Sequence, residues 1–252
     1  MKTAFLCECK KIKGRLASIL SAALALLLLW SAYVMLHGDN SDIRGFEYTY
    51  MTTSLITLNS IFLPTLISVA ASRLMDVENK GNTYKLLCTL QPKAGILNAK
   101  LLLAALSFLL FLALEWIGIF VLGQLGQFTQ AFPFREYVLL FGAAFLTTLL
   151  LLLFQLSLSL RLENQLYPLF IGLLGSFASV FSMFIPLDSP LLNLIPWSYF
   201  GLGATSLIHY DRSAGRIFCT PLALRPAGWL MLCLFLISAY ALLRRSFLRK
   251  DV

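Results

Sequence analysis

KLLLAALSFLLFLALEWIGIFVL, residues 100–122, decides the class of this protein. The stretch carries one carboxylate, Glu115, and one lysine, Lys100, at its head. At about 1.5 Å per residue, a helix of this length covers about 34 Å, enough to cross some 30 Å of hydrocarbon. Five further runs of similar character flank it, at 16–36, 51–71, 137–160, 166–185 and 227–243. The chain is 59% hydrophobic and 13% charged, with a mean hydropathy of +0.81. A soluble domain holds about 45–50% apolar and about 25% charged residues. The expected fold is therefore all-α, a polytopic membrane protein with six transmembrane helices in a single domain over 1–252.

The distribution of charge sets the orientation. Fifteen of the 20 lysines and arginines fall on one side of these spans, in residues 2–15, 73–100, at Arg161 and in 244–250. Arg44, Arg135, Arg212, Arg216 and Arg225 fall on the other. The basic side is expected to be cytoplasmic, with both termini on it. The net charge of +8 therefore reads as a topology signal and not as a nucleic-acid footprint. The lysines and apolar residues of 1–15 suit an amphipathic helix lying in the inner interface. The run after them is longer than a signal-peptide core and reads as an uncleaved first span.

Chemistry is sparse. The sequence has no phosphate-cradling G-x-x-x-x-G-K-[ST] loop, no H-E-x-x-H and no G-x-S-x-G. Its two histidines, His37 and His209, sit at outer span ends, and its five cysteines lack metal-ligand spacing. No catalytic residue and no metal site is expected. Glu115 is the one ionisable side chain inside a span, and two readings stand: a polar contact on a substrate path, or a protonated or hydrogen-bonded carboxyl tying two spans together. Residues 186–226 form the longest connection. Its aromatic Pro196-Trp197-Ser198-Tyr199-Phe200 stretch suits the membrane interface, lying in or dipping into the outer leaflet. Trp197 and Tyr199 join Glu115 as candidates for a substrate path.

The most informative polar segment lies between the second and third spans: Asp76-Val-Glu78-Asn-Lys80-Gly81-Asn82-Thr83-Tyr84-Lys-Leu86-Leu87-Cys88-Thr-Leu90-Gln-Pro92. Tyr84, Leu87, Cys88 and Leu90 recur at helical spacing, Asn82 or Thr83 can cap the start, and Pro92 stops the helix. A short amphipathic helix over 78–90 offers its apolar face to a partner's groove or to the membrane surface.

An acidic residue, a Gly-x-Thr step, an apolar helix, a proline and a downstream lysine together resemble the type-2 ABC exporter permeases. In that family the segment is a coupling helix that docks into the ATPase subunit. The resemblance places Glu78, Gly81, Thr83, Leu86, Leu87, Pro92 and Lys100 on matching positions, and Tyr84 lies on the same helix. Asn82 departs from the family's more usual adjacent Gly-Thr. The six spans, the interfacial amino-terminal helix and the long outer segment are also shared, so the architectural likeness covers nearly the whole chain. The size and the Pro196-Trp197 stretch look most like the lantibiotic-immunity permeases. The resemblance implies cytoplasmic ABC ATPase partners holding ATP and Mg, no cofactor on this chain, a second similar permease, a plasma-membrane location and an amphipathic antimicrobial peptide as cargo. A type-2 permease for a drug, lipid or ion, and a non-transporting scaffold or sensor, stay open as alternatives.

Overall fold

The structure is a computed structural model that describes residues 8, 20, 22–31, 44–81, 89–162, 164–187, 189–211 and 216–249. Its helices are α1 (Ala22–Ser31), α2 (Glu47–Gly81), α3 (Lys93–Leu125), α4 (Phe134–Arg161), α5 (Leu166–Ser182) and α6 (Pro226–Arg249). Of these, α2, α3, α4 and α6 are long and apolar enough to cross a membrane, while α1 and α5 are shorter apolar helices. The end of the bundle at the 82–92 connection is termed basal here, and the end at the 126–133 connection distal.

The long helices overrun their apolar stretches: α2 exceeds 51–71 at both ends, and α3 begins seven residues before Lys100. Hydropathy marks where lipid stops, whereas the helix stops only where a backbone signal ends it. Pro92 and Pro133 stand immediately before α3 and α4, where a missing N–H costs nothing. Inside the helices, hydroxyls bond back to the preceding turn, as Thr52 does to Tyr48 O, Thr57 to Thr53 O, Ser107 to Leu103 O and Thr147 to Ala143 O. Each bond hides a polar group that lipid could not satisfy.

α2 packs against α4 and α5, and α4 also against α3 and α6. Close approach comes from small residues. A β-carbon at Gly172 of α5 would lie 2.3 Å from the Ser68 side chain and 3.2 Å from Pro64 O of α2. The outward faces stay apolar: Leu106, Leu110, Leu114, Ile117 and Val121 form one exposed stripe along α3. In water such a stripe invites aggregation; in a bilayer it is the lipid face.

Glu47 fixes the distal 126–133 connection. Its Oε1 accepts from Thr129 N (3.2 Å) and Thr129 Oγ1 (2.6 Å), and its Oε2 from Gln130 N (3.1 Å). Gln130 then pairs with Thr49 through both ends of its amide. Tyr48, between them, sits edge-on to Phe128 and Phe132. Glu47→Gln is expected to lower stability by about 1–2 kcal/mol, because an amide NH2 must then face a backbone N–H; thermal unfolding in detergent reads this.

The 186–226 segment is only partly helical. Two 3-10 turns, Pro190–Leu194 and Pro196–Gly201, lead to a hairpin of β1 (Ser206–Asp211) and β2 (Arg216–Pro221), the one sheet among the described residues. The sequence carries no signal for the hairpin. Its strands are six residues each, too short to show a period against the surrounding apolar sequence. The turns insert into the bundle. Trp197 packs edge-on against Phe154, 5.7 Å between centroids, seven residues and so about 10 Å short of the basal end of α4.

Candidate functional site

At the basal end, Lys100 is the central residue. It is 1% exposed, yet it carries a charge, and its surroundings account for that. Its Nζ donates to Glu8 Oε2 at 2.8 Å and to Leu74 O at 3.0 Å, and Glu8 is itself buried. The amino-terminal segment, the last turns of α2 and the first turns of α3 are thus tied at one ammonium group. The tie flanks the 82–92 connection on both sides. Glu78 and Gly81 lie in the last turn of α2, and Pro92 precedes α3. Thr83, Tyr84, Leu86 and Leu87 fall outside the described residues, as does the expected 1–15 interfacial helix apart from Glu8.

Mid-bundle, Glu115 is fully buried between α3 and α2, and its Oε2 accepts from Asn59 Nδ2 at 3.0 Å. Among the described residues, Glu115 Oε1 and Asn59 Oδ1 have no hydrogen-bond partner. The carboxyl therefore joins two helices. An amide in its place could accept from Asn59 Nδ2 and donate to the waiting Asn59 Oδ1. Glu115→Gln is accordingly expected to leave stability within about 1 kcal/mol of the parent. Glu115→Leu strands the Asn59 amide and is expected to cost about 1–3 kcal/mol. Thermal unfolding measures both. A Glu115→Gln protein that is stable but inactive would show that the carboxyl itself is used.

Trp197 and Tyr199 fall together in the inserted segment, apart from Glu115. Trp197 O accepts from Ser179 Oγ of α5 at 2.7 Å, and its indole lies where a β-carbon at Gly175 would be. Tyr199 is buried, donates to Asn193 O and faces Phe235 of α6. Two cavities flank this segment. A basal one of about 300 Å³ is lined by Leu150, Phe154, Trp197, Phe235 and Leu242, with Arg161 at its edge. A distal one of about 230 Å³ lies between α2, α5 and the inserted segment, lined among the described residues by seven Ser and Thr hydroxyls and one cation, Arg225. Glu115 lines neither.

Some of these residues gave no signal in the sequence. Asn59 is one polar residue in a Thr- and Ser-rich span, and its partner lies 56 positions away. Thr53, Thr57 and Ser60 share one helical face by spacing, which was the available hint of a polar cavity.

No curated protein matches the chain. A sequence-family model does, that of the ABC-2 family transporter protein, over residues 4–179. The match takes in the amino-terminal segment, the basal tie at Glu8 and Lys100, and the helices through most of α5. With 176 of its 252 residues covered, the chain belongs to the ABC-2 transporter family, as a multi-pass membrane subunit that works with a separate ABC ATPase.

Proposed function

We propose that this chain is the permease half of an ATP-driven exporter that expels a lantibiotic or similar amphipathic antimicrobial peptide from the plasma membrane. It crosses the bilayer six times, through α1 to α6, with the basal end and both termini cytoplasmic. ATP and Mg reside on the ATPase. A second, similar permease completes the pathway. Residues 78–90 form the coupling helix, with Glu78, Gly81, Thr83, Tyr84, Leu86, Leu87 and Pro92 at the ATPase groove.

The observation that carries this reading is the buried Lys100 tie within the family-matched region. A coupling element is useful only if its movement reaches the spans without being absorbed in a slack joint. Here a single ammonium holds the amino-terminal segment and the bases of α2 and α3, so displacement of the intervening connection pulls on all three. Trp197, lining the basal cavity, is the favoured contact on the cargo path, with Tyr199 beside it in the same turn and packed against Phe235 of α6. Glu115 belongs to the helix pairing described above.

Affinity capture of the tagged chain from its native membrane tests the partnership. An ATPase and a second permease are expected to co-purify, and recovery of the chain alone would overturn the reading. Survival of cells challenged with lantibiotics, with and without the chain, tests the cargo. Protection against drugs but not peptides would reassign it.

A further inference from the structure

The distal cavity has a one-sided hydrogen-bonding character. Six of its hydroxyls already donate within the protein. Thr53 Oγ1 and Thr57 Oγ1 of α2 bond to Thr49 O (2.8 Å) and Thr53 O (3.0 Å). Ser179 and Ser182 of α5 bond to Trp197 O (2.7 Å) and Ser179 O (2.6 Å). Ser198 bonds to Leu192 O and Ile195 O (2.8 Å each), and Ser206 to Glu136 Oε1 (2.7 Å). A hydroxyl has one donor and two acceptor positions, so these six retain acceptor capacity only. At these six positions the wall is therefore built to receive N–H or O–H groups.

Arg225 supplies the opposite character. It is half-buried, and among the described residues it is the one charged residue lining the cavity and has no ion-pair or side-chain hydrogen-bond partner. Guanidinium is always charged at physiological pH, and partly withdrawing it from water without an anion is unfavourable. Its planar fork matches phosphate. A ligand that answers both features carries an anionic phosphate and, beside it, hydrogen-bond donors.

Size and surroundings narrow this further. About 230 Å³ falls below the roughly 300–1,000 Å³ of a site that encloses a drug-sized molecule. It suits a headgroup whose remainder lies outside. Apolar Met183 and Leu187 form part of the rim, and Phe181 and Phe184 beside them are 66% and 81% exposed. We propose that this cavity holds the headgroup of a donor-bearing phospholipid, with the phosphate on Arg225 and the ammonium or glycerol hydrogens against the Ser and Thr oxygens. The orientation proposed above places this lipid in the outer leaflet. The binding chemistry stands without that orientation and without the peptide cargo.

A quaternary ammonium has no N–H, so headgroup identity gives the test. Native mass spectrometry of the purified full-length chain in detergent is run with equal concentrations of phosphatidylethanolamine, phosphatidylglycerol or phosphatidylcholine, and with inorganic phosphate as competitor. The first two lipids are expected to be retained about tenfold more strongly than phosphatidylcholine. Arg225→Gln is expected to weaken their retention about tenfold, and Arg225→Lys to weaken it less. Thr57→Val with Ser179→Ala is expected to narrow the preference over phosphatidylcholine. Equal retention of all three lipids by the parent chain overturns the proposal without any variant. So does unchanged retention in a monodisperse Arg225→Gln protein, or displacement of lipid by inorganic phosphate at matching concentration, which would identify the ligand as a soluble anion. None of these results depends on capture of an ATPase, so this inference and the exporter reading can fail separately.

Discussion

Lys100→Met is expected to destabilise the basal end of the bundle by about 3–5 kcal/mol and to uncouple ATP hydrolysis from transport in the assembled transporter. The magnitude follows from burial. Removing one member of a buried ion pair leaves the other charge without that compensation, whereas an exposed pair would cost under about 1 kcal/mol. Lys100 and Glu8 are both below the surface, 2.8 Å apart, and Leu74 O takes a second proton of the same ammonium. Replacing both partners is a different experiment. Glu8→Met together with Lys100→Met removes both charges from the interior and is expected to recover most of the stability. It should not recover coupling, because no methionine can bond to Leu74 O. The cycle of single and double variants isolates the pair. An interaction energy below about 0.5 kcal/mol, or transport at parental efficiency per ATP in Lys100→Met, would remove the tie from the mechanism.

The second large effect is expected at Gly203. A β-carbon there would fall 2.4 Å from Leu139 O, 2.5 Å from Leu139 C and 2.7 Å from Leu140 N, all backbone atoms of α4. A side chain in the way can rotate, but a helix backbone held by its own ladder cannot. Gly203→Ala is therefore expected to unseat the inserted segment and to cost about 3 kcal/mol, the upper end of ordinary overpacking. Gly142, on the same helix α4, is the internal control. A β-carbon there meets only the Trp229 ring, at 4.0 Å. Gly142→Ala is expected to be neutral or stabilising by about 0.5–1 kcal/mol, since alanine suits a helix interior better than glycine. Thermal unfolding in detergent compares the two. Similar behaviour of the two variants would show that the contact at Leu139 yields.

What the sequence disclosed depended on whether the signal was local. Residues 100–122 read as a membrane helix because hydrophobic length is a property of neighbours in the chain, and α3 contains that stretch. Pro92 and Pro133 likewise act on the residues beside them. Lys100 was legible as a position, through its resemblance to a family pattern, but its partner Glu8 lies 92 residues earlier, and only the packed bundle brings them together. Glu115 was conspicuous for its charge, whereas Asn59, which answers it, was hidden among threonines and serines. Trp197 and Tyr199 announced an interfacial segment by composition, while the depth to which Trp197 reaches depends on small residues at Gly175 and Gly203 that carry no pattern of their own. The distal cavity was the least legible feature. Its character rests on which hydroxyl protons are already engaged, a fact of geometry absent from any residue name.

At 17 residues, α5 rises only about 25 Å, several ångströms less than the roughly 30 Å of hydrocarbon it borders. On the six-span reading proposed above, the two leaflets beside α5 draw together, and this flank of the protein carries a dimple in the surrounding membrane. Bilayers of shorter acyl chains should fit that contour with less distortion. Thickness then becomes a variable that sorts the protein among regions of membrane, at fractions of a kcal/mol for each ångström of mismatch.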